Sequence, residues 1–567
     1  MKLKRVVIKN FRSIKHLEFE FPESNLLVLV GPNNSGKSNI IRAINLICGE
    51  DWVSSERLQD YDFYLRDKSK EIRIELIFDN GSSAIFSSSS RWPEYRDVLG
   101  NLIRDQNIKE DFPSTYLGAD RAFDRHISFY DWSLLGKIRK TFHKRAYNLS
   151  DKLEERFNEI VDLFDQVPGF SEFKKDFGKF FEELQADVPL KMSIDFKPFT
   201  PSNYFKTMHI LASDPNQNRR DIDLDELGEG TRNLILLALL RSYAVNLRQY
   251  GEEIRGILAL EEPEIYLHPQ AQRNLFRILR EIVSTGLQVI ISTHSNNFVD
   301  TEFFDSIGLV RKVDDPENKG CQHTTLTLVS KAELVEHCYR TGVPEGKATI
   351  ENITEYYKST SNYRLNEAFF ARFLILVEGE TEELALPEYL AAVGLNCDQK
   401  GVSVIAVQGK NQIPKYWRLF GKFKIPMLVV FDNDDDGVDA KGSDNQKRKS
   451  NKNLASCFGL QLEQILHGKA WDVVTSENEP ATPIVILGKE FETAVKQDYE
   501  NTRTERTPTY EKIEEEAHNI IKPVSKNQAK GLIARYIARR IHSFMPDYAP
   551  QFVKRIAEIV KEELGFY

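Results

Sequence analysis

The feature that most constrains this 567-residue chain is an apolar run that ends in a glycine-rich turn. Leu26–Val30 is uninterrupted hydrophobic sequence, the pattern of a strand buried on both faces of a parallel sheet. It passes directly into Gly31-Pro-Asn-Asn34-Ser-Gly36-Lys37-Ser38, which fits G-x-x-x-x-G-K-[ST]. Glycine lets backbone N–H groups turn toward phosphate oxygens. Lys37 reaches the β and γ phosphates, and Ser38 offers a hydroxyl to Mg²⁺. A helix is predicted to follow over residues 39–46, with its positive end toward the anion. A buried strand, a phosphate loop and a helix together predict an α/β nucleotide site, and a chain of this length has room for two to four such cores.

Three further segments complete that site. Ile257–Leu260 reads as a buried strand ending in Glu261-Glu262-Pro263-Glu264. Acids at the C-terminal end of such a strand face the nucleotide crevice, where Glu261 is expected to hold Mg²⁺ through water and Glu262 to polarise an attacking water. Gln288-Val-Ile-Ile-Ser-Thr-His294 is another apolar strand, and its terminal histidine can reach a γ-phosphate. Gly228-Glu-Gly230-Thr-Arg232 leads into an apolar helix predicted over 233–240, a second anion-binding helix start. One nucleotide does not need two such starts from one chain, so this one is expected to close over ATP bound by a second copy. Taken singly, the acidic turn reads equally well as an ordinary strand end, and the histidine more often as a strand-end residue with no chemistry.

As a set these segments resemble the ABC-type ATPases of the SMC, RecF and Rad50 group. Gly31–Ser38 matches their Walker A and Gly228–Arg232 their signature loop; Leu258–Glu262 resembles Walker B, and His294 the switch histidine. Ile8-Lys-Asn-Phe-Arg12-Ser-Ile resembles their opening, which implies that Arg12 lies near the nucleotide. The resemblance implies ATP-dependent contacts between two copies. One departure is that Glu261 stands where Walker B usually has aspartate. Helical spacing in Leu153–Leu163 and Phe173–Leu184 predicts a helical insertion over 91–204, a dimerisation arm within an ATPase domain made of 1–90 and 205–365. Basic residues between Lys137 and Arg145, interleaved with Phe142, read as a solvated helix face in preference to a DNA patch.

A new α/β unit is predicted over 366–567. Phe373–Val377 ends in Glu378-Gly-Glu380-Thr-Glu382, and Met427–Phe431 ends in Asp432-Asn-Asp434-Asp-Asp436-Gly437, with Val402–Val407 between them. Alternating strands and helices mean a parallel sheet, and carboxylates at two strand ends then meet at one edge. Such carboxylates repel unless they share cations, and hard oxygen donors suit Mg²⁺ or Mn²⁺, a pair of which is the usual device for phosphodiester displacement. Asp432-x-Asp434-x-Asp436-Gly437 also fits the first half of a calcium loop. Its twelfth position is Ser443 rather than glutamate, however, and an apolar β-rich run precedes it. Residues 439–453 read as a lysine-rich polar surface loop.

Glu378-Gly followed by Asp432-x-Asp434, each behind a hydrophobic strand, resembles the Toprim domain. An SMC-like ATPase followed by Toprim resembles the OLD (overcoming lysogenization defect) family of endonucleases over nearly the whole chain. The resemblance implies a metal-dependent DNA endonuclease, nicking or cutting both strands, with Glu378, Glu382, Asp432 and Asp434 as metal ligands. It adds later acids, matched by Glu490 and Glu492 after Ile484–Leu487, and a basic residue, best matched by Lys530, to stabilise charge on the phosphate. It also implies a homodimer or higher oligomer formed through the ATPase domain, DNA as partner, and phage defence or DNA processing beside a helicase-like or other defence protein. The rival reading is a non-nucleolytic SMC/RecF-like clamp or repair scaffold. A topoisomerase would need a further tyrosine-bearing domain, for which no room remains.

The formal charge of −9 does not advertise nucleic-acid binding as a whole, although acidic metal sites pull such a total down. The five cysteines are scattered and never form C-x-x-C, which argues against zinc and disulfides and for a reducing compartment. No signal-like start and no run long enough to cross a bilayer are found, so a soluble, cytoplasmic protein without membrane contact is expected.

Overall fold

The computed structural model describes residues 1–49, 54–103, 112–118, 142, 149–164, 166–184, 210, 212–214, 219–222, 226–228, 230–232, 234–235, 238–239, 241–242, 256–265, 267–361, 363–434, 443–521 and 526–565. The N-terminal half begins with strands β1 (Leu3–Phe11), β2 (Ile14–Glu20) and β3 (Leu26–Val30), helix α1 (Lys37–Cys48), and strands β4 (Arg73–Phe78), β5 (Ser83–Ser87), β6 (Glu94–Arg96) and β7 (Ser114–Leu117). Helices α2 (Ser150–Phe164) and α3 (Phe170–Leu184), the hairpin strands β8 (Ala212–Asp214) and β9 (Arg219–Ile222), and strand β10 (Ile257–Glu261) come next. Helix α4 (Pro269–Ser284), strands β11 (Gln288–Ser292), β12 (Ile307–Asp314) and β13 (Gln322–Thr327), and helices α5 (Lys331–Arg340) and α6 (Ile350–Thr360) close this half.

Two sheets sandwich α1. One is an antiparallel sheet in the order β2-β1-β4-β5-β6. The other runs β13-β12-β3-β11-β10-β7 and is parallel from β12 through β7. In β3, β10 and β11 every residue is buried, as continuous apolar runs require when both faces are covered. β6 and β7 correct the expectation of a wholly helical insertion over 91–204. Tyr116 and Leu117 pair in register with Ala259 and Leu260, so the ATPase sheet takes residues up to Leu117. A four-residue strand is too short to announce itself by periodicity. α2 and α3 cover the two segments with helical spacing. The basic cluster Lys137–Arg145 lies outside the described residues except for Phe142, which packs against the main core.

The C-terminal unit contains β14 (Phe373–Val377), α7 (Glu380–Ala392), β15 (Val402–Ala406), α8 (Ile413–Lys422), β16 (Met427–Asp432), α9 (Ser443–Phe458), β17 (Trp471–Thr475) and β18 (Pro483–Leu487). Helices α10 (Phe491–Thr502), α11 (Tyr510–Ile520), α12 (Lys526–Phe544) and α13 (Gln551–Leu564) follow. The sheet order β15-β14-β16-β18-β17 is parallel except for β17, an antiparallel edge strand that the strand–helix alternation did not predict. The expected lysine-rich loop over 439–453 is corrected too. From Ser443 the backbone is helical, and Ser450, Asn451, Leu454, Ala455, Cys457 and Phe458 form its buried side. The polar stretch masked a helix because its inward face starts with serine and asparagine rather than with aliphatic residues.

One hydrophobic core is continuous between the halves. Leu258, Leu275 and Val289 of the ATPase sheet layer join Leu334, Tyr357 and Phe369, and through them Trp417, Phe420 and Val429 of the second sheet. The opposite face of the second sheet has its own core beneath α7 and α10–α13. All five cysteines are free. Among the described residues, no helix is long and apolar enough to cross a membrane.

Candidate functional site

Two sites lie at strand ends, one in each half. In the first, β3, β11 and β10 are neighbours and parallel, so their C-terminal ends open together. Gly31 has φ +145°, and a Cβ there would stand 2.1 Å from the carbonyl oxygen of Val310; only glycine passes so close to β12. Lys37 is 6% exposed, and its Nζ donates to the carbonyls of Gly31 (2.9 Å) and Pro32 (3.0 Å). Burial lowers its pKa to about 8, against the opposing pull of Glu262 and Glu264. Asn34 sits in the left-handed region at φ 61°. Ser38, at the second position of α1, is half-buried.

Glu261 is buried at the end of β10. It accepts a hydrogen bond from the Tyr116 hydroxyl (2.9 Å), and the Arg42 Nε stands 3.9 Å from it. Glu262 has φ 46°, and its Oε1 lies 3.9 Å from Nε2 of His294. Burial, then the charge of Lys37, lowers the His294 pKa, while Glu262 opposes the shift. Lys37, Glu262 and His294 therefore share one electrostatic environment. Glu264 is what fixes the histidine loop. It accepts from the Thr293 hydroxyl (2.9 Å) and from the His294 backbone N–H (2.6 Å), and burial raises its pKa. Neither Tyr116 nor Glu264 was singled out from the sequence; Glu264 gave a signal only as the third acid of the turn.

Arg12 is less directly placed. Its guanidinium is held by Asp62 at 2.9–3.0 Å and stacks near Phe11 and Tyr61, while the next residue, Ser13, reaches the phosphate-loop helix through Asn39 (2.8 Å). Gly228 is exposed, and the described positions from Gly230 to Ser242 are helical, as expected of a signature loop that opens a helix. No contact in the described chain brings Gly228 or Gly230 to the phosphate loop.

In the second site, Glu378 follows β14, Glu382 lies in the first turn of α7, Asp432 ends β16, which is hydrogen-bonded to β14, and Asp434 lies two residues beyond it. Glu382 is 4% exposed and accepts the Gly379 backbone N–H (3.1 Å). Burial raises its pKa, and the charges of Glu378 and Glu492 raise it further. Asp432 is pushed well above the ordinary range by burial and by Glu382, Glu378, Glu492 and Asp434. Glu378 is raised by burial, with Lys410 pulling the other way. Oε2 of Glu378 and Oδ1 of Asp432 are buried and have no hydrogen-bond partner among the described residues. Such orphaned oxygens cost free energy unless a proton or a cation meets them.

Glu492 belongs to this group; the Thr381 hydroxyl lies 3.4 Å from it. Glu490 is exposed just before α10, and no described interaction ties it to the cluster. Lys530 is exposed near the start of α12. Its neighbour Gly531 packs so closely on α7 that a Cβ would stand 2.8 Å from the Glu380 carbonyl oxygen, which keeps Lys530 at the cluster's end of the helix.

Lys410 is the residue the sequence did not reveal. It is 6% exposed, pairs with the Asp434 carboxylate and lies 3.3 Å from Asn451 Oδ1. Asn451 in turn donates to the Asn433 carbonyl (2.7 Å). Asp434 has φ 53°, so the turn that presents it is conformationally tight. As they stand, no three His, Cys, Asp or Glu side chains among the described residues are gathered closely enough to enclose an ion. The donor set still suits a hard cation, because all of its members are carboxylate oxygens and two of their atoms are unsatisfied.

A phosphate-loop ATPase sheet followed by a Toprim sheet with acids on adjacent strand ends defines a two-part ATPase–Toprim protein. The family comparisons agree. Residues 26–300 match a family described as "AAA domain, putative AbiEii toxin, Type IV TA system", and residues 369–434 match "Overcoming lysogenization defect protein-like, TOPRIM domain". Over most of its length the chain is similar to nucleases of the OLD family. It is 27% identical to the OLD nuclease of Thermus scotoductus, over 81% of this chain and 89% of that one. It is 23% identical to the Old nuclease of Escherichia phage P2, over 76% and 77% of the two chains. Endonuclease GajA of Bacillus cereus strain HuB5-5 is 21% identical over 73% of this chain and 61% of its own.

Proposed function

We propose that this protein is an ATP-binding, divalent-metal-dependent DNA endonuclease whose cleavage centre is the Toprim carboxylate cluster. The observation that carries the reading is the pair of buried, unpartnered oxygens on Glu378 and Asp432, within a group that also holds Glu382, Asp434 and Glu492. Mg²⁺ or Mn²⁺, one ion or two, would be held by Glu378, Glu382, Asp432 and Asp434, with Glu492 beside them. A bound ion supplies charge neutralisation on the phosphate and a more acidic water. The chain's own residues do the rest. The Gly379 N–H orients Glu382, the β16 turn presents Asp432 and Asp434, and Lys530 offers positive charge to the phosphate as it grows more negative.

In the head, Lys37, the loop around Asn34 and Gly36, and Ser38 would bind the phosphates and Mg²⁺ of ATP, while Glu262 and His294 face the γ-phosphate. Glu261 would act on Mg²⁺ through water. Gly228 and Gly230 would meet the nucleotide of a second copy, which makes the working form a dimer or larger. Arg12 would act through the β1–β2 turn that touches α1. Phage defence or DNA processing, with a helicase-like or other defence partner, is the setting we assign from the family resemblance.

The test is plasmid cleavage with Mg²⁺, with Mn²⁺ and with a chelator. Glu378→Ala and Asp432→Ala are expected to abolish cleavage and keep ATP binding; undiminished cleavage by both variants would overturn the reading. One observation favours the rival, non-nucleolytic clamp: Lys410 already neutralises Asp434.

A further inference from the structure

Beside the carboxylate cluster lies a cleft of about 790 Å³ between the end of α5 and helices α8 and α9. Four cationic residues line it, Lys410, Lys415, Arg418 and Lys449, and none of its described lining residues is acidic. Arg418 is 6% exposed, yet its described hydrogen bonds go only to the hydroxyl (2.6 Å) and carbonyl (2.7 Å) of Thr341, both neutral. Lys415 lies 3.3 Å from Gln412 Oε1 and sits over the Tyr356 ring, 3.6 Å from its centroid. Its pKa is lowered by burial and then by the charge of Arg418. Lys410 pairs with Asp434, but Lys415, Arg418 and Lys449 have no acidic partner among the described residues; like charges gathered in this way are costly, and they mark a place that an anion completes. Asn411 and Asn453 add neutral side-chain amide donors. Lys410 joins this cleft to the cluster, because its ammonium lines the one and pairs with Asp434 of the other.

We propose that this cleft binds a backbone phosphate of the DNA strand next to the one being cut. The inference rests on the nuclease reading of the carboxylate cluster and adds where the strand runs. Acids gather cations at the scissile position, and the neighbouring cations take the following phosphate without any metal.

The test is binding of a fluorescent DNA duplex to the full-length protein, read by anisotropy in Ca²⁺ across a salt series. Lys449→Gln and Lys415→Gln are each expected to lower the slope of log affinity against log salt by about 1, and the double variant by about 2. Lys452→Gln, exposed on the same helix but outside the cleft, is expected to leave the slope unchanged. Glu378→Ala is expected to lose cleavage in Mg²⁺, which reads the cluster separately from the cleft. Unchanged slopes in both cleft variants overturn the proposal. So does an equal change in Lys452→Gln, which would mean diffuse helix charge. So too does occupation of the cleft by thymidine 5′-monophosphate with duplex binding unaltered, which would make it a mononucleotide site. Loss of slope in the cleft variants alongside cleavage by Glu378→Ala sinks the cluster assignment alone, so the two failures are separable.

Discussion

The two strand-end sites handle buried charge in opposite ways. In the ATPase head most charged groups already have a neutral or opposite partner. Lys37 rests on two carbonyls, Glu261 on Tyr116, and Glu264 on Thr293 and the His294 N–H. In the Toprim sheet burial, and after it the charge of neighbouring carboxylates, raises the pKa of Glu378, Glu382 and Asp432, and two oxygens of the cluster meet nothing among the described residues. The first arrangement is a preformed cradle that can stand empty at little cost. The second is incomplete without protons or cations.

Removing one of the orphaned carboxylates should have the largest effect. Glu378→Ala or Asp432→Ala is expected to lower plasmid cleavage by about a hundred-fold or more, and comparable cleavage would erase the contrast between the sites. Next, Lys37→Ala should abolish the thermal stabilisation given by ATP, which at a hundred times Kd amounts to about 2.7 kcal/mol. A persistent ATP shift would mean that the cradle lies elsewhere.

The pH dependence follows from the direction of the acid shifts. Glu382 is raised from the ordinary 4.5 to about 7, and Asp432 is raised as well, so the folded chain binds more protons than the unfolded one in this window. In chelator, stability should therefore fall as pH rises from about 4.5 toward 7, and Mg²⁺ should flatten that slope by favouring the charged form. Melting temperatures at several pH values, with and without Mg²⁺, check this; a slope that ignores Mg²⁺ would separate the cluster from metal binding. Smaller still, Glu264→Gln should cost about 1 kcal/mol of stability through weakened bonds to Thr293 and His294, read by urea unfolding. The smallest effect concerns two acids close in sequence. Glu490→Ala should leave cleavage within about two-fold, whereas Glu492→Ala should reduce it, because only Glu492 shares the electrostatics of the cluster.

Strand ends were the legible part of this molecule. Continuous apolar runs at 26–30, 257–260, 289–291, 373–377 and 427–431 all became buried parallel strands, and the chemistry at their ends could be read from the next few residues. Contacts made across the fold were not legible. Lys410 follows an ordinary glycine turn, and only the pairing of β14 with β15 and β16 brings it to Asp434. Tyr116 sits on a strand too short for a periodic signal. The helix from Ser443 hid because its inward positions include Ser450 and Asn451, whose value lies in what they touch.

The apolar core that runs from Leu258 to Val429 has a mechanical consequence. The helices between the sheets, α5 and α6, lie within it rather than on a solvated tether; Tyr357 bonds the Lys415 carbonyl and Thr341 holds Arg418. A displacement of the head on nucleotide binding would carry the cutting edge with it as one lever arm, and heating should melt the two sheets in a single cooperative step.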